Sequence, residues 1–315
     1  MKILEVHNLT ISFEGKTAVD KACFDLAENE IVGLVGESGC GKSLTAFSIL
    51  GISPPNSELS GEIIYKGTNL LSLDAEAKRN IRGNKISLIP QDPLSALNPV
   101  FTVGEQIAEV LEVHKKLSGA QALVRTQEAL ENVNIPNAKE RLRDYPHQFS
   151  GGMKQRALIA MALSTEPDIL IADEPTTALD VTIQLQILEL MKNLKNKGKS
   201  ILLITHDLAQ VAEICDRVYV MYLGKIVESA PTKELFLNPK HPYTIGLLNS
   251  LPDDTKKTLS PILGQPPSID SIPTGCAFHP RCPSVMDKCK KEIPELYEVG
   301  NSKNHKSKCF LEVNQ

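Results

Sequence analysis

No run of about 18 apolar residues occurs anywhere in this 315-residue chain, so no membrane-spanning helix is predicted. The opening stretch, Met1-Lys2-Ile3-Leu4-Glu5-Val6-His7, lacks the apolar core of a secretory signal. Aromatic residues are scarce at 4% and the formal net charge is −4, which together give no sign of a nucleic-acid surface. Internal repeats and low-complexity tracts are absent as well, which sets aside solenoids and disordered linkers. Lys192, Lys195, Lys197 and Lys199 form a local basic run, and they read as a solvated helix end. What remains is a chain long enough for one ample core and an appendage.

The residues that carry chemistry begin at Gly36-Glu37-Ser38-Gly39-Cys40-Gly41-Lys42-Ser43. Ile31-Val32-Gly33-Leu34-Val35 precedes it as a buried parallel strand, and Leu44 to Leu50 can begin a helix. Strand, glycine-rich turn and helix are the setting that a Gly-x-x-x-x-Gly-Lys-Ser/Thr phosphate loop requires. The loop residues Ser38, Gly39, Cys40 and Gly41, with Leu44 opening the helix, would wrap backbone N–H groups around a nucleotide's phosphates. Lys42 would reach the β- and γ-phosphates, and the Ser43 hydroxyl would ligate Mg²⁺. Cys40 reads as a small filler. The alternative, behind the filler reading, is that its place near a helix N-terminus lowers the thiol pKa and makes it sensitive to alkylation.

A second apolar strand, Ile169-Leu170-Ile171-Ala172, ends in two carboxylates. Asp173 suits an Mg²⁺ contact, and Glu174 suits a base that polarises the attacking water. A third strand, Ile201-Leu202-Leu203-Ile204-Thr205, is followed by His206, placed to contact a γ-phosphate.

With Phe149-Ser150-Gly151-Gly152-Met153-Lys154-Gln155-Arg156 between the first two strands, the chain resembles the ATPase subunits of ABC transporters. The resemblance implies an α/β P-loop NTPase core with a helical signature subdomain and a C-terminal Pro/Cys-rich extension. Phe13 is similar to the aromatic that stacks on adenine. Gln91 is similar to the Q-loop glutamine that meets Mg²⁺ and senses the membrane partner. Ser150, Gly151 and Gly152 correspond to the signature that closes over a partner's ATP, Thr177 to Asp180 to the D-loop, and His206 to the switch histidine. Phe149 and Met153 depart from the common Leu-Ser-Gly-Gly-Gln form, and the Ser-Gly-Gly-Met variant points to peptide importers. Lys42, Glu174 and His206 then form the expected catalytic set, with ATP and Mg²⁺ as cofactors. Implied partners are transmembrane permease subunits, an extracytoplasmic solute-binding protein acting through them, and a second ATPase subunit, same or sister, in a head-to-tail dimer. No nucleic acid is expected. The implied location is peripheral, on the cytoplasmic face of the cell membrane.

Residues 1–230 are expected to form the nucleotide-binding domain. Its helical subdomain would span about 93–166, where Val103 to Lys116 and Ala120 to Val133 show apolar residues at helical spacing. Residues 231–315 form the extension. His241-Pro242-Tyr243-Thr244, Gly264-Gln265-Pro266-Pro267 and the segment from Gly275 to Pro283 resemble the tail of dipeptide, oligopeptide or nickel importer ATPases. Four of seven cysteines, Cys276, Cys282, Cys289 and Cys309, fall in the last forty residues, with five, six and nineteen residues between successive ones. The lack of a close Cys-x-x-Cys pair counts against zinc, which stands as one reading behind an iron–sulfur cluster. A 4Fe–4S cluster, as in some members of the subfamily, is a second, and reduced structural thiols are a third. Alternative functions are import of nickel or another small solute, and a soluble ABC protein outside transport.

Overall fold

The computed structural model describes residues 1–177, 179–251, 262–299 and 304–312. The chain divides into two units. One, the loop unit, comprises Lys2–Leu26, Ile31–Asn69 and Thr205–Gln315. The other, the helical unit, comprises Met1, Ala27–Glu30 and Leu70–Ile204.

In the loop unit, β1 (Lys2–Phe13), β2 (Lys16–Ala27), β4 (Ser57–Tyr65) and β5 (Thr68–Asn69) form a sheet ordered β2-β1-β4-β5. The two-residue connection at Glu14-Gly15 is too short for a crossover, so β2 must return beside β1. β1 and β4 are antiparallel, and their register slips between His7 and Thr10. That bulge switches the inward parity of β1: Leu4 and Val6 are buried before it, Leu9 and Ile11 after it.

β3 (Ile31–Val35) is buried at every position, as its unbroken apolar run predicts. It pairs in parallel with β9 (Arg217–Tyr222), and β10 (Lys225–Pro231) lies antiparallel on β9. The tail then returns: β12 (Lys306–Ser307) pairs with β10, and β11 (Tyr297–Glu298) pairs with β12. Among the described residues, four helices complete this unit: α1 (Lys42–Ile49), α9 (Leu208–Ile214), α10 (Thr232–Leu237) and α11 (Pro242–Asn249).

The helical unit carries three parallel strands, β6 (Ile86–Ile89), β7 (Ile169–Asp173) and β8 (Ser200–Thr205). α2 (Ala75–Ile81) precedes β6. Between β6 and β7 run α3 (Pro93–Ala96), α4 (Val103–Lys115), α5 (Gly119–Asn132), α6 (Ala138–Arg141) and α7 (Gly151–Leu163). The two helices expected from apolar spacing are α4 and α5, each within a residue of its predicted ends. α4 starts where it does because Thr102 and Glu105 form a capping box, with bonds of 3.2 Å and 2.8 Å. Ala108 and Leu111 of α4 and Ala122 of α5 then bury one another, with Leu117 packed against them. α8 (Val181–Asn196) joins β7 to β8. Among the described residues, no helix is long and apolar enough to cross a membrane.

Candidate active site

In the loop unit the phosphate loop is anchored by its glycines and its lysine. A Cβ on Gly36 would collide with the carbonyl oxygen of Met221 in β9, so the loop can leave β3 this closely only through glycine. Gly41, at the N-cap of α1, has φ +105°, a conformation that L side chains rarely adopt. Lys42 follows as the first helical residue and is 5% exposed. Its Nζ donates to the carbonyls of Gly36 (2.8 Å) and Glu37 (3.0 Å), so the ammonium sits inside the loop it serves. Ser38 and Gly39 are exposed at the loop's crest, while Ser43 and Leu44 are half-buried in the first turn of α1. Phe13 ends β1 half-buried. His206 is exposed after β8, beside Asp207, which accepts from the Ala209 N–H (2.8 Å) and caps α9.

Cys40 corrects the expectation of an activated thiol. It is buried, and burial raises its pKa more than nearby Lys42, with Nζ 3.8 Å from Sγ, lowers it. A helix N-terminus favours thiolate only where solvent or a ligand helps carry the charge.

In the helical unit Asp173 closes β7 and is 2% exposed. Glu174 follows with φ +46°, in the left-handed region. Its N–H donates to the Ile204 carbonyl of β8 (2.8 Å), which holds that conformation in place. One carboxylate oxygen accepts from Gln91 Nε2 (2.9 Å) and from Thr177 Oγ1 (3.1 Å). Gln91 and Glu174, predicted from separate motifs 83 positions apart, therefore meet. Thr177 was visible in sequence only as part of the D-loop, and its hydroxyl three residues beyond Glu174 was the available signal. Ala178 of that loop lies outside the described residues. Ser150 is the N-cap of α7, accepting from the Met153 N–H (3.3 Å); Gly151 is exposed and Gly152 half-buried. Phe149, one of the two departures from the common signature, is buried at 4% exposure and serves as core.

The tail gathers its cysteines. Cys276, Cys282, Cys289 and Cys309 line one pocket together with His241, Phe278 and His279. Burial pushes the thiols of Cys276 and Cys282 up, and that of Cys309 up to about 12. Burial also lowers His241 to about 4, and its Nδ1 accepts from the Tyr243 N–H (3.1 Å), as only a neutral imidazole can. No three His, Cys, Asp or Glu side chains among the described residues converge tightly enough to hold a single metal ion. The tail also reaches the phosphate loop, which sequence reasoning did not anticipate. Arg281 donates to both carboxylate oxygens of Glu37 (2.7 and 2.9 Å), and the Tyr243 hydroxyl accepts from the Glu37 N–H (2.9 Å).

Residues 19–177 match the family described as ABC transporter. The chain belongs to that family. This ABC protein also matches the family described as oligopeptide/dipeptide transporter, C-terminal region, over residues 227–289. It is 51% identical to the dipeptide transport ATP-binding protein DppD of Bacillus subtilis, across 99% of this chain and 95% of that protein. It is 44% identical to the oligopeptide transport ATP-binding protein OppD of Salmonella typhimurium, across 99% and 95%. Among solved structures it resembles the ATP-binding cassette MJ0796, seen as a dimer in a post-hydrolysis state bound to ADP and Pi. The TM-score is 0.65 at 28% identity, covering 73% of this chain and 98% of that one. Membership makes this ABC protein an ATPase with the cassette fold.

Proposed function

We propose that this ATPase powers the uptake of dipeptides or oligopeptides through transmembrane permease subunits. One observation carries the reading: the similarity to dipeptide and oligopeptide transport proteins runs through core and tail alike, at 51% and 44% identity. The working form is a head-to-tail dimer at the cytoplasmic face of the membrane, fed by an extracytoplasmic solute-binding protein. In it, Ser150, Gly151 and Gly152 of one subunit close over ATP held by Lys42 and the phosphate loop of the other, and Phe13 stacks on the adenine. Mg²⁺, which neutralises phosphate charge when bound, would be held by Ser43, Gln91 and Asp173; the donor set is all oxygen, as that ion prefers. Glu174, steered by Gln91 and Thr177, takes the proton of the attacking water, and His206 aligns the γ-phosphate. A strain lacking this chain and dependent on an external amino acid should fail to grow when a peptide supplies it. Growth restored by the wild-type chain but not by Glu174→Gln supports the reading; growth without the chain overturns it.

Residues 231–315 are proposed as the importer-type extension, beyond a nucleotide-binding domain over 1–230. Its four pocket thiols are proposed to hold a 4Fe–4S cluster. The fit lies in the donor set and its placement: four thiols, none in a disulfide, ring one buried pocket instead of converging on a point. A cubane spreads its thiolates wider than a single zinc ion does. The cluster would cross-link a tail with little secondary structure of its own. An anaerobic preparation should carry about four irons and four sulfides per chain, lost in Cys282→Ser. One zinc, or no metal, would defeat this assignment and leave the ATPase untouched.

A further inference from the structure

Glu37 is the second residue of the phosphate loop, and the tail holds it at two points. Arg281 takes its carboxylate in a two-pronged ion pair, and the guanidinium also lies against Tyr222, donating to its hydroxyl at 3.4 Å. The Arg281 side chain is 5% exposed and that of Glu37 is 27% exposed, so the pair is shielded from the water that weakens surface ion pairs. Tyr243 is fully buried and takes the Glu37 N–H. The third anchor is internal, since Lys42 donates to the Glu37 carbonyl. Tyr243 and Arg281 are themselves fixed by one aromatic cluster, in which Tyr222, Tyr243 and Phe278 have ring centroids 4.6 to 5.4 Å apart. A glycine-rich loop is the least self-supporting kind of backbone, because glycine gives up the most freedom when ordered. Here the fixing groups come from residues about 200 to 244 positions downstream, outside the matched cassette region.

We propose that Arg281 and Tyr243 are positioning residues of the nucleotide site: the tail clamps Glu37 and so presets the phosphate loop in the shape that receives ATP. Neither side chain touches a reacting atom. Their contribution is preorganisation, felt in nucleotide affinity and not in the chemical step. The inference rests on the ATPase reading and names a device within the same site.

The test is Mg·ATP binding by calorimetry to the full-length wild type, Glu37→Gln, Arg281→Ala, their double variant and Tyr243→Phe, with ATPase kinetics alongside. Arg281→Ala and Glu37→Gln should each weaken binding roughly tenfold, the size of one lost charge-assisted hydrogen-bonded pair. The double variant should be no weaker than either single one, since both break the same contact. KM should rise with kcat held within about twofold. Tyr243→Phe keeps the ring in its cluster and removes only the acceptor. It should weaken binding roughly threefold with an unchanged melting temperature, and it carries the test should Arg281→Ala fail to fold. Binding by the variants within twofold of wild type overturns the clamp, as do independent, additive losses. A wild-type chain that binds no ATP at all would overturn the ATPase reading instead.

Discussion

At the scale of single residues, Glu174 is where backbone and chemistry coincide. A left-handed glutamate is a strained choice, costing on the order of 1–3 kcal/mol, and it persists because β8 accepts its N–H and two side chains fix its carboxylate. One of its carboxylate oxygens is committed to Gln91 and Thr177. Glu174→Gln keeps size and shape but cannot accept a proton. It should bind ATP like wild type and lose about 10²- to 10⁴-fold in turnover, the range for a general base. Single-turnover ATPase measurements check this, and near-wild-type turnover would remove Glu174 from the role. Cys40 teaches the opposite lesson. Sequence position left an activated thiol open beside the filler reading, but the group is buried against the loop lysine, and burial raises its pKa.

Among elements, the instructive contact joins β10 to β12, because a buried glutamate of β10 meets a buried histidine next to β12, with a half-buried glutamate of α10 beside them. Glu228 in β10 and His305 beside β12 are both fully buried. His305 places Nε2 2.7 Å from Glu228 and Nδ1 3.2 Å from Glu234 of α10. Glu228 also accepts the N–H groups of Lys240 (2.7 Å) and His241 (2.9 Å). Burial works against a charged His305, yet the two carboxylates outweigh it and raise its pKa. The unfolded histidine titrates near about 6.5. The stabilisation from His305 is therefore complete below that pH and is lost as pH rises through the raised folded value. Thermal melting should show wild type losing stability on the alkaline side, while His305→Gln lacks that component. At about pH 6, where the histidine is charged, the variant should be less stable by about 3 kcal/mol, as when one partner of a buried pair is removed. A wild type and variant with parallel pH curves would show that His305 is not the titrating group. Nothing in sequence revealed this pairing. β3, β7 and β8 were legible because unbroken apolar runs of this length have one stable fate, and α4 and α5 because helical spacing is local. A two-residue strand such as β12 has no period to read, and its partner lies 77 positions back.

For the molecule as a whole, the tail behaves as a part of the nucleotide machinery held by a few discrete contacts, most of them from side chains and one from the short β10–β12 pairing. Among the described residues between 262 and 312, its regular elements are two-residue strands and single turns. What fixes it is a set of discrete anchors: Arg281 on Glu37, His305 on Glu228, Lys240 near Glu312 (3.5 Å) and the Lys308 N–H on Val227 (2.7 Å). The cassette motifs could be found by sequence because each is contiguous, whereas Glu37 and Arg281 stand 244 positions apart and look like unrelated charges. If the clamp favours ATP, thermodynamic reciprocity requires ATP to favour the clamp by the same factor. Mg·ATP should then slow hydrogen exchange in the turn that carries Arg281, at the Cys276 N–H bonded to Cys289 (2.8 Å) and the Arg281 N–H bonded to Phe278 (3.0 Å). At about a hundredfold excess over Kd, ligand linkage stabilises the whole fold by about 2.7 kcal/mol, so global slowing is expected everywhere. The discriminating signal is therefore excess protection in this turn relative to the amides of α5, which belongs to the helical unit. In Arg281→Ala that excess should vanish while the global part survives wherever ATP is saturating. Equal protection of the turn and α5 in the wild type would mean that the tail is carried along with the fold and does not take part in gripping the nucleotide.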